Sequence, residues 1–205
     1  MMRFPFALAA MLVCILVMPT ACQGDQANEA KKIDRSPLPT AAVPPYICGH
    51  IPLKAVELMT GVRNPLVRGY FDLTLARGLG AGGCAIYQRT GDRLKVLQID
   101  LTPDGTLEAV QETLDEGGSP LPEIVPGSIG YYFKRSNSEY NDAFAMLVRG
   151  KAELNIQLEI GVEGRDNAAD VVALMKLIAP KLITKASAPS ASLSATSSSP
   201  SPKKD

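Results

Sequence analysis

Residues 152–160, AELNIQLEI, alternate apolar and polar side chains without a break. A strand turns successive side chains to opposite faces, so such a run commits the chain to a sheet with one buried face and one wet face. The stretch Asp142 to Val148 reads as a second long strand, and Arg149-Gly150-Lys151 supplies the turn between the two. An earlier segment has the same form. In GCAIYQRTGDRLKVLQIDL two apolar runs flank Thr90-Gly91-Asp92, and Leu97, Ile99 and Leu101 alternate with Gln98 and Asp100. Further strands are expected near Tyr70 to Ala76 and at Gly130 to Lys134.

Three segments switch to helical spacing. Ile51 to Gly61 opens with Pro52, spaces Leu53, Val56 and Met59 along one side, and closes on a C-capping glycine. Asp104 to Glu116 places Leu107, Val110 and Leu114 opposite Glu108, Glu112 and Asp115, and Gly117-Gly118 stops it. Asp166 to Ile183 has an acidic start, apolar Val171, Leu174, Leu177 and Ile178, and a late Pro180 that is expected to bend or end the helix. The fold class expected is α+β, an antiparallel β-sheet covered by helices in the order α-β-β-β-α-β-β-β-α. Both hairpins carry Arg before a Gly turn and an alternating second strand, which hints at a twofold pseudo-repeat.

The ends of the chain have a different composition. Residues 4–18 form an apolar run preceded by Arg3, the layout of a secretory signal, and the run is marginal in length for a membrane-spanning helix. Pro19-Thr20-Ala21-Cys22 resembles the lipobox of bacterial lipoprotein signals, with Pro19 standing where Leu is usual. The expected organisation is a lipoprotein-type signal at 1–21, lipidation of Cys22, a disordered linker at 22–45, the α+β domain at 46–184, and a disordered Ser/Pro-rich tail at 185–205. The linker has almost no large apolar residue and several Pro, and as a flexible coil it would span about 25 Å. The tail offers Ser and Thr for glycosylation.

Cysteine usage follows from that address. Cys14 leaves with the signal and Cys22 takes the lipid, so Cys48 and Cys84 remain in an oxidising compartment and are expected to pair.

Several function classes fall away. Lys and Arg total 21 against 21 Asp and Glu, with no basic stripe, so nucleic acid is not an expected partner. Gly78, Gly80 and Gly83 match a dinucleotide fingerprint, but Cys84-Ala85-Ile86-Tyr87 after them reads as a strand where the phosphate site needs a helix N-terminus, so a loop beside the disulfide is expected instead. Gly127-Ser128-Ile129-Gly130 lacks the first glycine of a nucleophile elbow, Pro126 standing there. The only His is His50, and no His, Cys, Asp and Glu cluster has ligand spacing, so neither a catalytic triad nor a metal or other cofactor is expected. Asp115-Glu116 and the pair Asp100 and Asp104 read as charge on wet faces. The candidate binding surface is aromatic and basic: Tyr131, Tyr132, Lys134 and Arg135, together with Tyr140.

Several of these features together resemble a known family. They are the lipobox, a Pro-rich linker, Tyr46-Ile47-Cys48-Gly49 before the first helix, Gly83-Cys84-Ala85-Ile86-Tyr87 opening a strand, and Pro126-Gly127-Ser128-Ile129-Gly130 before the last hairpin. The resemblance is to the actinobacterial secreted-lipoprotein family of unknown function number 3558, and it spans Cys22 to Ile183. There an aromatic residue often follows the second Cys by two or three positions, as Tyr87 does here, and no catalytic residues carry over. A weaker similarity is to extracytoplasmic sensor-type domains of actinobacterial kinases and their stand-alone lipoprotein relatives. The functional expectation is a non-enzymatic envelope lipoprotein, held on the extracytoplasmic face of the cell membrane by its N-terminal lipid, that binds an envelope protein or a small ligand. The alternatives are a hydrolase-like envelope enzyme using carboxylates, or a structural surface protein. Replacement Cys22→Ser is expected to move the protein from the membrane to the soluble fraction and to remove the mass of the acyl groups, measured by fractionation and intact-mass spectrometry.

Overall fold

The computed structural model describes residues 34–134 and 140–188. Two short strands, β1 (Tyr46–Ile47) and β2 (Ile51–Pro52), pair ahead of helix α1 (Leu53–Thr60). There follow β3 (Leu66–Asp72), the one-turn α2 (Leu75–Gly78), β4 (Ala81–Tyr87), β5 (Lys95–Thr102) and α3 (Leu107–Asp115). The chain continues through β6 (Ser119–Pro120), β7 (Ile129–Lys134), β8 (Ala143–Arg149), β9 (Ala152–Leu158) and α4 (Asn167–Leu182), and then a 3-10 turn at Lys185–Ser187. The architecture is α+β. Its larger sheet is antiparallel, in the order β3-β4-β5-β9-β8-β7-β6. Beyond the elements expected from the sequence, the described residues add β1, β2, α2, β6 and the terminal turn.

The middle of the sheet is the pairing of β5 with β9, where Leu97 faces Leu158, Ile99 faces Ile156 and Leu101 faces Leu154. All six are essentially without solvent contact. Each such side chain contributes roughly 1.5–3 kcal/mol when removed from water. The alternation that sends these six inward sends Gln98, Asp100, Asn155 and Gln157 to the other face.

Helix α4 covers the inner face of β7, β8 and β9 and touches α1 beside it. It buries Val171, Leu174, Met175 and Ile178, and its start is capped by Asp166, whose carboxylate accepts the Ala169 N–H at 3.1 Å. Pro180 does not end it. The helix runs on to Leu182, and the hydrogen bond that Pro180 cannot make falls on an exposed side, since Pro180 and Lys176 both face solvent. Helix α3 takes the opposite face of the sheet. Its Val110 is buried with Tyr131 and Val148, and Leu114, Phe133, Phe144 and Met146 close around them. Leu107, expected on the buried side, is exposed at the first helical position.

Strand β3 begins and ends earlier than the expected Tyr70 to Ala76. The Asp72 carboxylate accepts from the Thr74 N–H at 2.9 Å and its hydroxyl at 2.6 Å, which turns the chain out of the sheet. Those two bonds also hold the Asp72 carboxyl below its ordinary pKa. Ala76 and Arg77 then take left-handed conformations, with φ of 52° and 60°. The glycine run expected as a loop is strand in its second half, since Gly82 and Gly83 lie within β4.

A disulfide joins Cys48 to Cys84 with an S–S distance of 2.03 Å and fastens the β1–β2 turn to β4. The described residues include part of each terminal span expected to be disordered. Residues 34–45, assigned to the linker on their composition, lie against the body: Leu38 is buried, and the Tyr46 hydroxyl donates to the Ala42 carbonyl at 2.7 Å. Lys181 donates to Tyr46 Oη at 3.0 Å from a position over its ring. At the other end Ser187, in the span expected as tail, is buried; before it, at the last residue of the expected domain, Arg149 donates to the Thr184 carbonyl at 3.0 Å, and the Thr184 hydroxyl donates to the Gly78 carbonyl. Local composition cannot anticipate either case, because the partners come from distant parts of the sequence.

Loss of the disulfide in a Cys48→Ala/Cys84→Ala chain is expected to lower the unfolding free energy by about 4 kcal/mol, since it crosslinks residues 36 apart; urea denaturation measures it. Leu154→Ala, at the central seam, is expected to cost roughly 2–5 kcal/mol in the same assay.

Candidate functional site

The aromatic and basic residues singled out in the sequence do not form one surface. Tyr131 and Tyr132 are neighbours in β7 and so face opposite sides of the sheet. Tyr131 lies under α3 at 7% exposure, with Phe133 stacked against it at 6.2 Å between ring centroids and Phe144 at 5.9 Å. Tyr132 packs against the main core on the other side. Tyr140 is 56% exposed at the entry to β8. Lys134 ends β7, while Arg135 and Cys22 lie outside the described residues. Strict alternation, already legible in the sequence, is the signal that separates Tyr131 from Tyr132.

A different surface emerges from the same alternation. The outer face of the sheet has two halves. Over β7 and β8 it is apolar and closed by α3. Over β3, β4, β5 and β9 it carries Arg68, Tyr70, Ala85, Tyr87, Gln98, Asp100 and Asn155, all at least partly exposed. Gln98 Nε2 donates to Asp100 at 2.7 Å, and Asn155 Nδ2 donates to Glu153 at 2.7 Å. Each bond runs along its own strand, so Gln98 holds Asp100 and Glu153 holds Asn155, and the two lie directly opposite in register. The Arg68 guanidinium sits over the Tyr87 ring at 5.5 Å. At the edge of this half, Lys95 pairs with Glu159 at 2.8 Å, and that bond raises the Lys95 pKa above its ordinary value.

Toward β3 the open half becomes less polar. A depression of about 340 Å³ is lined by Gly69, Tyr70, Leu75, Ala81, Gly82 and Gly83. Its rim is apolar, with Tyr70 72% and Leu75 49% exposed. Glycine is required for the strands to approach here. A Cβ on Gly82 would stand 2.2 Å from the Tyr70 carbonyl oxygen, and its φ of 143° is one that other residues rarely adopt. Gly83 leaves the space over which the Asp100 carboxylate lies.

No protein-family model matches the chain, and no curated protein matches it. The chemistry open to the surface therefore rests on its residues. Amides and carboxylates held by neighbours offer oriented donors and acceptors, and Tyr70 and Leu75 offer apolar contact; together they suit recognition.

The remaining candidates take structural roles. Ser128 is buried, and its hydroxyl accepts the Val125 N–H at 3.2 Å within a turn. His50 lies edge-on to Phe71 at 6.2 Å. Among the described residues no three His, Cys, Asp or Glu side chains gather as metal ligands, and no helix is long and apolar enough to cross a membrane.

Sequence reasoning missed a buried ion pair. Arg165 donates from Nε and Nη2 to the two carboxylate oxygens of Asp170, both at 2.8 Å, and from Nη1 to the backbone carbonyls of Asp34 at 2.7 Å and Ser36 at 2.9 Å. The Asp170 bonds raise the arginine further above its ordinary value. Gly82→Ala is expected to destabilise the fold by about 2 kcal/mol or more, whereas Gly91→Ala, also at positive φ but facing open space, is expected to cost about 1 kcal/mol; paired thermal melts separate them.

Proposed function

We propose that this protein is a non-enzymatic cell-envelope lipoprotein, tethered through Cys22, whose α+β domain binds a protein partner or a small ligand on the open half of the sheet. The tether is supported by the sequence: an apolar leader after Arg3 and the box Pro19-Thr20-Ala21-Cys22. The similarity to the secreted-lipoprotein family agrees with that address and brings no catalytic residue with it. The observation that carries the binding reading is the coexistence, on one face that the described residues leave open, of hydrogen-bonded Gln98, Asp100 and Asn155 with the exposed Tyr70 and Leu75. Aromatic and aliphatic side chains left in water beside fixed polar groups are the usual composition of a recognition surface.

The order α-β-β-β-α-β-β-β-α and its twofold pseudo-repeat belong to the same reading. Strands β3, β4 and β5 follow α1, strands β7, β8 and β9 follow α3, and β5 meets β9 between the two sets. In this view the two halves have diverged on their outer faces, one closed by α3 and the other left for a partner.

A photo-crosslinking phenylalanine analogue at position 70, introduced into the full chain in intact cells, is expected to give a discrete adduct after illumination. The same analogue at position 140 is expected to give none. Equal adducts at both positions, or none at position 70, would remove the open half as the binding surface.

A further inference from the structure

The segment that runs from Asp34 to Pro45 is held in an unusual way. It forms no ladder with the sheet and contains Pro37, Pro39, Pro44 and Pro45, none of which has an N–H to donate. Its grip on the body between residues 34 and 38 comes from two devices. Arg165, 8% exposed, presents one guanidinium nitrogen to two carbonyl oxygens spaced two residues apart, those of Asp34 and Ser36. Leu38, 6% exposed, supplies the apolar anchor. A backbone carbonyl is the same on every residue, so the arginine reads main chain and not side-chain identity. Asp170 fixes the guanidinium plane through both of its oxygens, so that the remaining donors stand ready whichever peptide lies over them.

Among the described residues the seat is larger than its present occupant. A cavity of about 330 Å³ remains beside the segment, bounded by Arg35 and Leu38 on the peptide side and by Arg165, Asp170, Ala169 and Ala173 on the α4 side. The Arg35 guanidinium closes one end by lying over Gly164, where a Cβ would come within 2.7 Å of it. A buried arginine set to take carbonyls, an apolar anchor and unfilled volume along a helix are the elements of a peptide-binding groove.

We infer that this groove is a binding site for proline-containing peptide segments, occupied in this chain by its own residues 34–38. The partner it fits is a protein segment with a free carbonyl, a second carbonyl two residues later, and an aliphatic residue between prolines, as in Ser36-Pro37-Leu38-Pro39. This site is separate from the open sheet face and does not depend on it. The resident segment competes from within the same molecule at an effective concentration in the millimolar range, as expected for a short connection, so an added peptide binds weakly until the resident is displaced.

The test uses the full chain and a fluorescent peptide with the sequence of residues 34–45, DRSPLPTAAVPP, followed by anisotropy. Leu38→Asp, with Leu38→Ala as a milder second variant, frees the resident segment while leaving Arg165 and Asp170 intact. Either variant is expected to bind the peptide at least tenfold more tightly than the unaltered chain. Adding Arg165→Leu together with Asp170→Leu, which removes the ion pair without leaving a buried charge alone, is expected to abolish that gain. Hydrogen exchange of β5 and β9 checks that each variant keeps its sheet. Equal binding by the unaltered and Leu38→Asp chains, no binding by either unlatched variant, or tight binding retained without Arg165 and Asp170 would each overturn the inference.

Discussion

The pairing of β5 with β9 is the contact on which the rest of the molecule depends. It joins two antiparallel sets of strands that are far apart in the sequence, and it does so with six buried aliphatic side chains in three facing pairs. Without that seam β3 and β4 would keep only β5 as a partner, and a three-stranded unit with a single covering face is near the limit of independent stability. The seam also sets the outward row. Because side chains alternate, fixing Ile99 opposite Ile156 fixes Asp100 opposite Asn155 on the other side, so core and candidate surface are two consequences of one register.

The disulfide and the first helix act at the margin of this arrangement. Cys84 sits in β4 opposite Gly69 of β3, and its bond to Cys48 brings the β1–β2 turn beneath the edge of the sheet. There His50 meets Phe71, and α1 follows directly, with Ala55, Val56 and Met59 buried. The strand next to the edge is thus tied to this turn by a covalent bond, while the edge strand carries Tyr70 into solvent on its other face.

Much of this was legible in the sequence, and the reason is local. The alternation of 152–160, the Gly turns at 91 and 150, and the apolar spacing of the three helices each depend on neighbours within a few residues. The wet positions Gln98 and Asp100 were visible by the same rule, and they mark the candidate surface more reliably than the aromatic cluster at 131–140, whose members the pleat divides. What escaped was non-local. Prolines and a shortage of apolar residues made 34–45 read as linker, and the single buried Leu38 together with a guanidinium 129 residues away outweighs that composition. The ends of β3 likewise followed from one aspartate turn and not from strand propensity. The pairing of Cys48 with Cys84, by contrast, followed from counting.

Helix α4 has a role beyond covering the sheet. The chain entering the domain is bonded at its first turn, through Arg165 and Asp170, and the chain leaving it is bonded just past its last, through Thr184. The 16 residues between make a rod of roughly 24 Å. The bond at Thr184 comes from Arg149, the last residue of β8, so the helix is fastened at its far end to the sheet it covers. The two points at which the terminal segments are held thus lie at opposite ends of one helix.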